Sequence, residues 1–261
     1  MPKYVDVHSH VLHRMDDGPE HLETSLSLLE EELRQNVATV IATPHFKDFD
    51  QSIDAFVDRR ARRIEEIRRA AQEKGILIPD IRAGAEVQLS CNIAEVDGIE
   101  KLAIEGTRYI LIEMPYTMWY DWMFDVLYAM IADKKLVPVM AHIERYGNVS
   151  RKMMEKLAGM EVYFQINADF LTDKRCRGMI GKLVRQKLVH FMGSDVHNMS
   201  DRSIRLQAGY RYLAKKYSDE FAQYLNVNGQ LLLDDQYIEK YTSNYHQMVS
   251  RNWFKRMFRK P

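Results

Sequence analysis

The chain predicts an α/β protein built on a closed barrel of parallel strands. Seven short β-branched or apolar runs alternate with helical stretches, and such alternation implies a parallel sheet with crossover helices. Nine residues with metal-binding side chains sit where six of those runs end. In parallel barrels the functional groups gather at the C-terminal strand ends. Side chains from six strands therefore converge more readily in a closed barrel than along an open sheet.

The elements follow in order. Tyr4-Val-Asp-Val7 runs into His8-Ser9-His10, with Asp17 in the next loop. Alternate residues of an extended chain point the same way, so His8 and His10 can reach one ion. Leu22, Leu26, Leu29 and Leu33 then recur at helical spacing and make one apolar face. Val40-Ile-Ala42 leads to His45, and a helix from about Asp54 to Lys74 follows, dense in Arg and Glu. A charge run of this kind reads as a solvated face. Ile81-Arg-Ala-Gly-Ala85 leads to Glu86, and Tyr109-Ile-Leu-Ile112 to Glu113. Val137-Pro-Val-Met-Ala141 leads to His142, and Val162-Tyr-Phe-Gln-Ile166 to Asn167. Val189-His-Phe-Met-Gly193 ends the series at Asp195 and His197, two apart like the first histidine pair. Imidazole and carboxylate together suit first-row divalent ions. His21, His190 and His246 lie off this pattern and read as ordinary surface or core histidines. His13 lies near it, as an outer partner or an exposed ring.

Composition narrows the function classes. Thirty-seven basic residues balance thirty-seven acidic ones, so no global charge drives binding to nucleic acid. A hydrophobic fraction of 46% suffices for a sizeable core. No signal-type apolar segment or membrane-spanning run is present. With only two cysteines, Cys91 and Cys176, a reducing cytoplasmic setting fits best. A cysteine phosphatase needs arginine six residues after its thiolate, but Asp97 and Lys182 stand at those positions. No repeat or flexible linker divides the chain. Residues 1–233 form one domain, and 234–261 form a basic, aromatic extension. Its last ten residues carry Trp253, Phe254, Met257 and Phe258 with four cations, a composition suited to an anionic membrane surface or to packing on the barrel.

Several segments resemble the PHP (polymerase and histidinol phosphatase) superfamily, most closely its bacterial manganese-dependent protein-tyrosine phosphatases from capsule and exopolysaccharide loci. They are Asp6-Val-His-Ser-His10, Asp16-Asp-Gly-Pro19, Ala42-Thr-Pro-His45, Gly84-Ala-Glu86, Leu111-Ile-Glu113, Ala141-His-Ile-Glu-Arg-Tyr146 and Ser194-Asp-Val-His-Asn198. The resemblance implies a distorted seven-stranded (β/α)7 barrel with three metal ions, most simply Mn2+, with Fe, Co or Zn as alternatives. By position, His8, His10, Glu86 and Asp195 would hold the first ion. Glu86, Glu113 and His142 would hold the second, with Glu86 bridging, and Asp17, His45 and His197 the third. Asp17 rather than Asp16 matches the family's ligand. Arg145 and Arg202 would clamp phosphate. His13-Arg14-Met15 is bulkier and more basic than the family's usual segment there.

Clustered divalent ions generate hydroxide near neutrality and neutralise phosphoryl oxygens during in-line displacement. Tyrosine leaves as a phenolate of pKa about 10, so it needs little acid assistance. Tyr116 and Trp119, in the cluster with Tyr120 and Trp122, are candidates for a stacking wall around the phosphotyrosine ring or, equally, for packing between barrel and helix. The resemblance implies a phosphotyrosine protein as partner, in particular a membrane-associated tyrosine autokinase. The alternatives are a phosphoesterase for a small molecule such as histidinol phosphate, or for nucleic-acid ends, and a non-catalytic metal-stabilised binding module.

Overall fold

A computed structural model describes residues 4–147, 149–172 and 174–239. Nine strand segments appear among them: β1 (Tyr4–Ser9), β2 (Val37–Ala42), β3 (His45–Phe46), β4 (Asp80–Ala83), β5 (Glu86–Gln88), β6 (Tyr109–Glu113), β7 (Val137–Met140), β8 (Tyr163–Asn167) and β9 (Phe191–Gly193). Every pairing is parallel. One sheet runs β1-β2-β4 and the other β3-β5-β6-β7-β8-β9.

Two of the expected runs are each split in two. Thr43 and Pro44 separate β2 from β3, and Gly84 and Ala85 separate β4 from β5. Gly84 N–H donates to Ala42 O at 2.9 Å and Glu86 N–H to Pro44 O at 3.1 Å, so backbone pairing spans the break. Proline has no N–H to give a ladder, which accounts for the interruption at Pro44. At the far edge β9 meets β1. Asp195 N–H donates to His8 O at 2.8 Å and His10 N–H to Val196 O at 2.9 Å. Ser9 and Val196 form a parallel bridge.

Strand alternation sorts the core into two layers. Val5, Tyr109, Leu111, Val139, Tyr163 and Phe191 pack together on one side, while Ile110, Ile112, Met140, Phe164 and Ile166 face the helices. The inner group is closed from the N-terminal end of the strands by Leu232 of the last helix (Asp219–Leu233) and by Ile238. Tyr109 OH donates to Gln236 O at 2.6 Å and Tyr163 OH to Ile238 O at 2.9 Å. Residues 236 and 238, beyond the expected boundary at 233, thus help floor the fold. Fully burying side chains of this size is worth roughly 1.5–3 kcal/mol each. Residues 240–261, including Trp253 and the basic tail, lie outside the described residues.

The helices follow from local signals. Helix α1 (Leu22–Arg34) buries Leu26, Leu28 and Leu29, whereas Leu33 is exposed; its hidden face also carries Ser25 and Glu32. Helix α2 (Ile53–Lys74) starts at Ser52, whose hydroxyl accepts from Ala55 N–H, and stops at Gly75, where φ of 65° favours glycine. Its arginines are not all solvated. Arg60 is buried and donates to Gly84 O and Lys101 O, and Arg68 donates to Ile81 O. They tie α2 to β4, to the break at Gly84 and to the turn at Lys101 through backbone carbonyls.

Candidate metal centre

All nine strand-end residues reach one cluster, centred on Glu86. Its Oε2 lies 3.2 Å from His8 Nε2, 3.2 Å from His10 Nε2 and 3.1 Å from His45 Nδ1. Its Oε1 lies 2.7 Å from His142 Nε2. The two oxygens thus serve different imidazoles, as a bridging carboxylate would. Asp195 Oδ1 lies 3.3 Å from His10 Nε2 and 3.6 Å from His8 Nε2. Glu113 Oε1 stands 3.6 Å from His142 Nε2. Asp17 Oδ1 stands 3.1 Å from His197 Nε2 and 3.5 Å from His45 Nε2. Three groups have donor atoms mutually within 4.8 Å: His10, Asp17, His45 and His197; His8, His10 and Glu86; His45, Glu86 and Glu113. This grouping adds His10 to the third ligand set and brings His45 beside the second.

The imidazoles are aimed by groups behind them. Gln165 turns its amide nitrogen to Ile166 O and Asn167 Oδ1, both at 2.7 Å, so its Oε1 accepts. It takes His142 N–H at 2.8 Å and His8 Nδ1–H at 3.1 Å. Asp16 Oδ2 faces His10 Nδ1 at 2.7 Å and accepts His45 N–H at 3.0 Å. His197 Nδ1 donates to Asp195 O at 2.9 Å. For His8, His10 and His197 the ring Nδ1 is thereby engaged, leaving Nε2 with its lone pair toward the cluster. Carboxylate, carbonyl or amide partners of this kind fix the tautomer and raise the basicity of metal-ligating histidines. Gly193 permits the closeness of β9 and β1, because a Cβ there would meet His8 Cβ at 2.6 Å. His142 and Asp195 adopt left-handed φ of 32° and 53°, rare for residues other than glycine and frequent at functional sites.

Electrostatics fit a cationic guest. Burial would push Glu86 up, but the surrounding imidazoles of His8, His10, His142 and His45 hold it well below the usual range. Asp195 is likewise held well below against its burial, with His8 the main counter-charge. Burial and the nearby Glu86 push Glu113 up. Glu86 Oε2 and His197 Nε2 are buried without a hydrogen-bond partner among the described residues. Orphaned lone pairs amid borderline donors fit divalent ions, and burial without a partner is costly otherwise.

Arg145 and Arg202 stand at the rim, both on Asp195. Arg145 Nη2 donates to Oδ2 at 2.7 Å and Arg202 Nη2 to Oδ1 at 2.9 Å. Arg202 Nη1 also approaches Asp17 Oδ2 at 3.4 Å. Asn167 Nδ2 donates to Asp195 Oδ2 at 2.6 Å, and Asp169 lies 3.7 Å from Arg145. Tyr116 lies parallel to His142 with centroids 6.0 Å apart, its ring 55% exposed at the mouth. Trp119 departs from the expected wall. It is 5% exposed, with its ring against Tyr146 and Phe124, so it backs the site rather than facing a substrate. His13 lies outside the cluster, paired with Glu66 of α2 at 2.9 Å. His190 accepts Phe164 N–H in the core. Gln165 and Asp169 were missed from sequence, and Asp16 was passed over in favour of Asp17. Asp16 alone left a signal, as the neighbour of Asp17.

Fold and cluster together define an α/β protein with a metal-type site at the ends of parallel strands. A family model for capsular polysaccharide synthesis proteins, CpsB/CapC, matches residues 4–234, and the chain belongs to that family. The tyrosine-protein phosphatase CpsB of Streptococcus pneumoniae is 31% identical over 251 residues, covering 90% of this chain and all of that one. Tyrosine-protein phosphatase YwqE of Bacillus subtilis is 27% identical over 240 residues, covering 90% of this chain and 93% of that one. A solved structure from the pair YwqE of Bacillus subtilis and CpsB of Streptococcus pneumoniae, described as unique metal-dependent tyrosine phosphatases, superposes with a TM-score of 0.78. It is 26% identical, covering 91% of this chain and 97% of that one. An amidohydrolase of Mycoplasma synoviae, 12% identical with a TM-score of 0.52, covers 96% of this chain and 94% of its own; this likeness concerns the fold alone.

Proposed function

We propose that the chain is a metal-dependent protein-tyrosine phosphatase. The observation that carries this reading is Glu86, buried with its two oxygens divided among four imidazoles, beneath two rim arginines. Family membership and the names of the relatives support the substrate class. We take the nine strand segments as seven staves of a distorted barrel, with β2–β3 and β4–β5 each one interrupted stave.

The ligand roles are those implied by position. His8, His10, Glu86 and Asp195 form one set, Glu86, Glu113 and His142 a second, and Asp17, His45 and His197 a third. Divalent ions bound there, manganese in the simplest case, supply an activated water and positive charge for the phosphoryl oxygens. The chain does the rest. Arg145 and Arg202, held beside Asp195 at the rim, would offer planar forks to the phosphate. Burial pushes the Tyr116 hydroxyl up to about 12, so it stays protonated and presents a ring face and an O–H rather than a base. Asp16, Gln165 and the Asp195 carbonyl hold the rings of His10, His8 and His197 in one tautomer. The phenolate leaving group asks for little proton donation.

The phosphotyrosine protein is, on this reading, a membrane-associated tyrosine autokinase, approached from the cytoplasmic side with help from the basic tail. No helix among the described residues is long and apolar enough to cross a membrane. Hydrolysis of a phosphotyrosine peptide, a phosphoserine peptide and histidinol phosphate across a metal series tests the proposal. We expect chelator-sensitive turnover restored by manganese and strongest on phosphotyrosine. Faster hydrolysis of histidinol phosphate would assign the site to a small molecule instead.

A further inference from the structure

Beside the cluster lies a second feature, a cavity of about 550 Å³ shared between the loop after β3 and helix α2. His45 and Asp17 form one of its walls, so it opens directly onto the proposed metal site. Lys47 and Arg59 line it as well. Four other arginines of α2 are already committed, Arg60 and Arg68 to carbonyls, Arg63 to Glu66 and Arg69 to Glu73, while Arg62 is exposed and does not line the cavity. Neither Lys47 nor Arg59 has an ion pair among the described residues, and Arg59 Nε is enclosed there without a hydrogen-bond partner. A partly enclosed guanidinium with an idle donor is costly unless something occupies it.

The acids nearby do not cancel this charge. Asp16 is taken by His10 Nδ1 and by the amides of His45 and Gly18. Asp17 is taken by His197, His45 and Arg202. Only Asp50, exposed to solvent, remains against two cations. The volume corresponds to a sphere roughly 10 Å across, about three residues of extended chain at ~3.3 Å each.

We propose that this cavity is a specificity subsite for an anionic side chain flanking the phosphotyrosine, a carboxylate or a second phosphoryl group, held by Lys47 and Arg59. The inference rests on the tyrosine-phosphatase reading above. A phosphotyrosine seated over the cluster puts residues within about three positions of it into the cavity. Charge-assisted contacts there select among substrates without touching the reacting phosphorus.

The test uses one phosphotyrosine peptide in three forms: neutral flanks, glutamate within three residues on either side, and phosphoserine at the same positions. Hydrolysis is measured with the metal-loaded full chain and with Lys47→Met/Arg59→Met, alongside a small aryl phosphate. The wild type should favour charged flanks by about five- to tenfold, chiefly in KM. The double variant should lose that preference while its rates on aryl phosphate and neutral peptide stay within about twofold, which also reports an intact fold. Lys47→Arg/Arg59→Lys should restore it. A preference for glutamate alone or phosphoserine alone would each support the subsite and name its source. Equal wild-type kcat/KM on all three peptides would overturn it, as would equal loss on every peptide in the double variant. Failure of wild type on aryl phosphate and all peptides would instead sink the phosphatase reading itself.

Discussion

Replacing Gln165 by leucine should damage metal binding more than its distance from any substrate suggests. Gln165 Oε1 takes two buried donors, His142 N–H at 2.8 Å and His8 Nδ1–H at 3.1 Å. Leucine keeps the approximate volume but leaves both donors unmet. At about 1–3 kcal/mol for each orphaned buried group, the fold should lose about 2–6 kcal/mol. His142 also holds a left-handed φ of 32°, so loss of its backbone anchor lets that turn relax. The ring of His8 is then free to rotate or change tautomer, and losses of this kind typically weaken metal binding by 10- to 100-fold. Calorimetric titration of apo protein with Mn2+, well below the melting temperature, reads affinity apart from stability. Wild-type affinity in a folded but destabilised Gln165→Leu would refute the argument and leave Gln165 a packing residue.

Glu86→Ala should lose metal and turnover together, because one carboxylate faces four imidazoles; elemental analysis beside kinetics checks it. Arg145→Ala should retain metal yet lose at least about a hundredfold in kcat, the scale of one transition-state charge contact. Glu32 is buried beside Asp6 and Ser194, and burial, then the Asp6 charge, holds its carboxyl well above the usual range. The folded state therefore keeps a proton that the unfolded chain gives up above about pH 4.3, so stability falls as pH rises from there toward the raised folded value. Glu32→Gln carries no such proton, and its melting temperature should exceed that of wild type by a margin that widens with pH; a constant margin would contradict this. Truncation after Ser250 should leave turnover of a soluble peptide unchanged while reducing cosedimentation with anionic vesicles.

What sequence could show and what it could not divide along a physical line. Residues at strand ends announce themselves, because a short apolar run followed by His, Asp or Glu is a local pattern. Glu86, Glu113, His142 and the two residues Asp195 and His197 were all legible that way, and so was the alternation of strands and helices. Asp17 and Asp16 were separable only through the resemblance; the structure turns the first to His45 and His197 and the second to His10 Nδ1. Gln165 was hidden because its partners, His8 and His142, stand 157 and 23 residues away. Nothing in a strand reading Tyr-Phe-Gln-Ile distinguishes it from a tolerated polar position. Trp119 misled for the opposite reason. Its neighbours Tyr116 and Tyr120 are exposed, and composition alone cannot tell which ring of a cluster turns inward.

The same separation explains why the site is built with strain. His142 and Asp195 each hold a left-handed backbone at a cost on the order of 1–2 kcal/mol. Each is restrained by a contact from another strand: His142 N–H by Gln165 of β8, Asp195 N–H by His8 O of β1. Neither restraint is local, so neither turn would persist in an isolated peptide. The bend re-aims the side chain after the strand ends, bringing residues that would otherwise continue along the strand into the cluster with Glu86. On the proposed reading, metal ligation would add to restraints already present and would not have to create them. Substitutions in that outer layer should accordingly cost affinity without emptying the cluster of donors, whereas loss of Glu86 removes the donor that the rest surround.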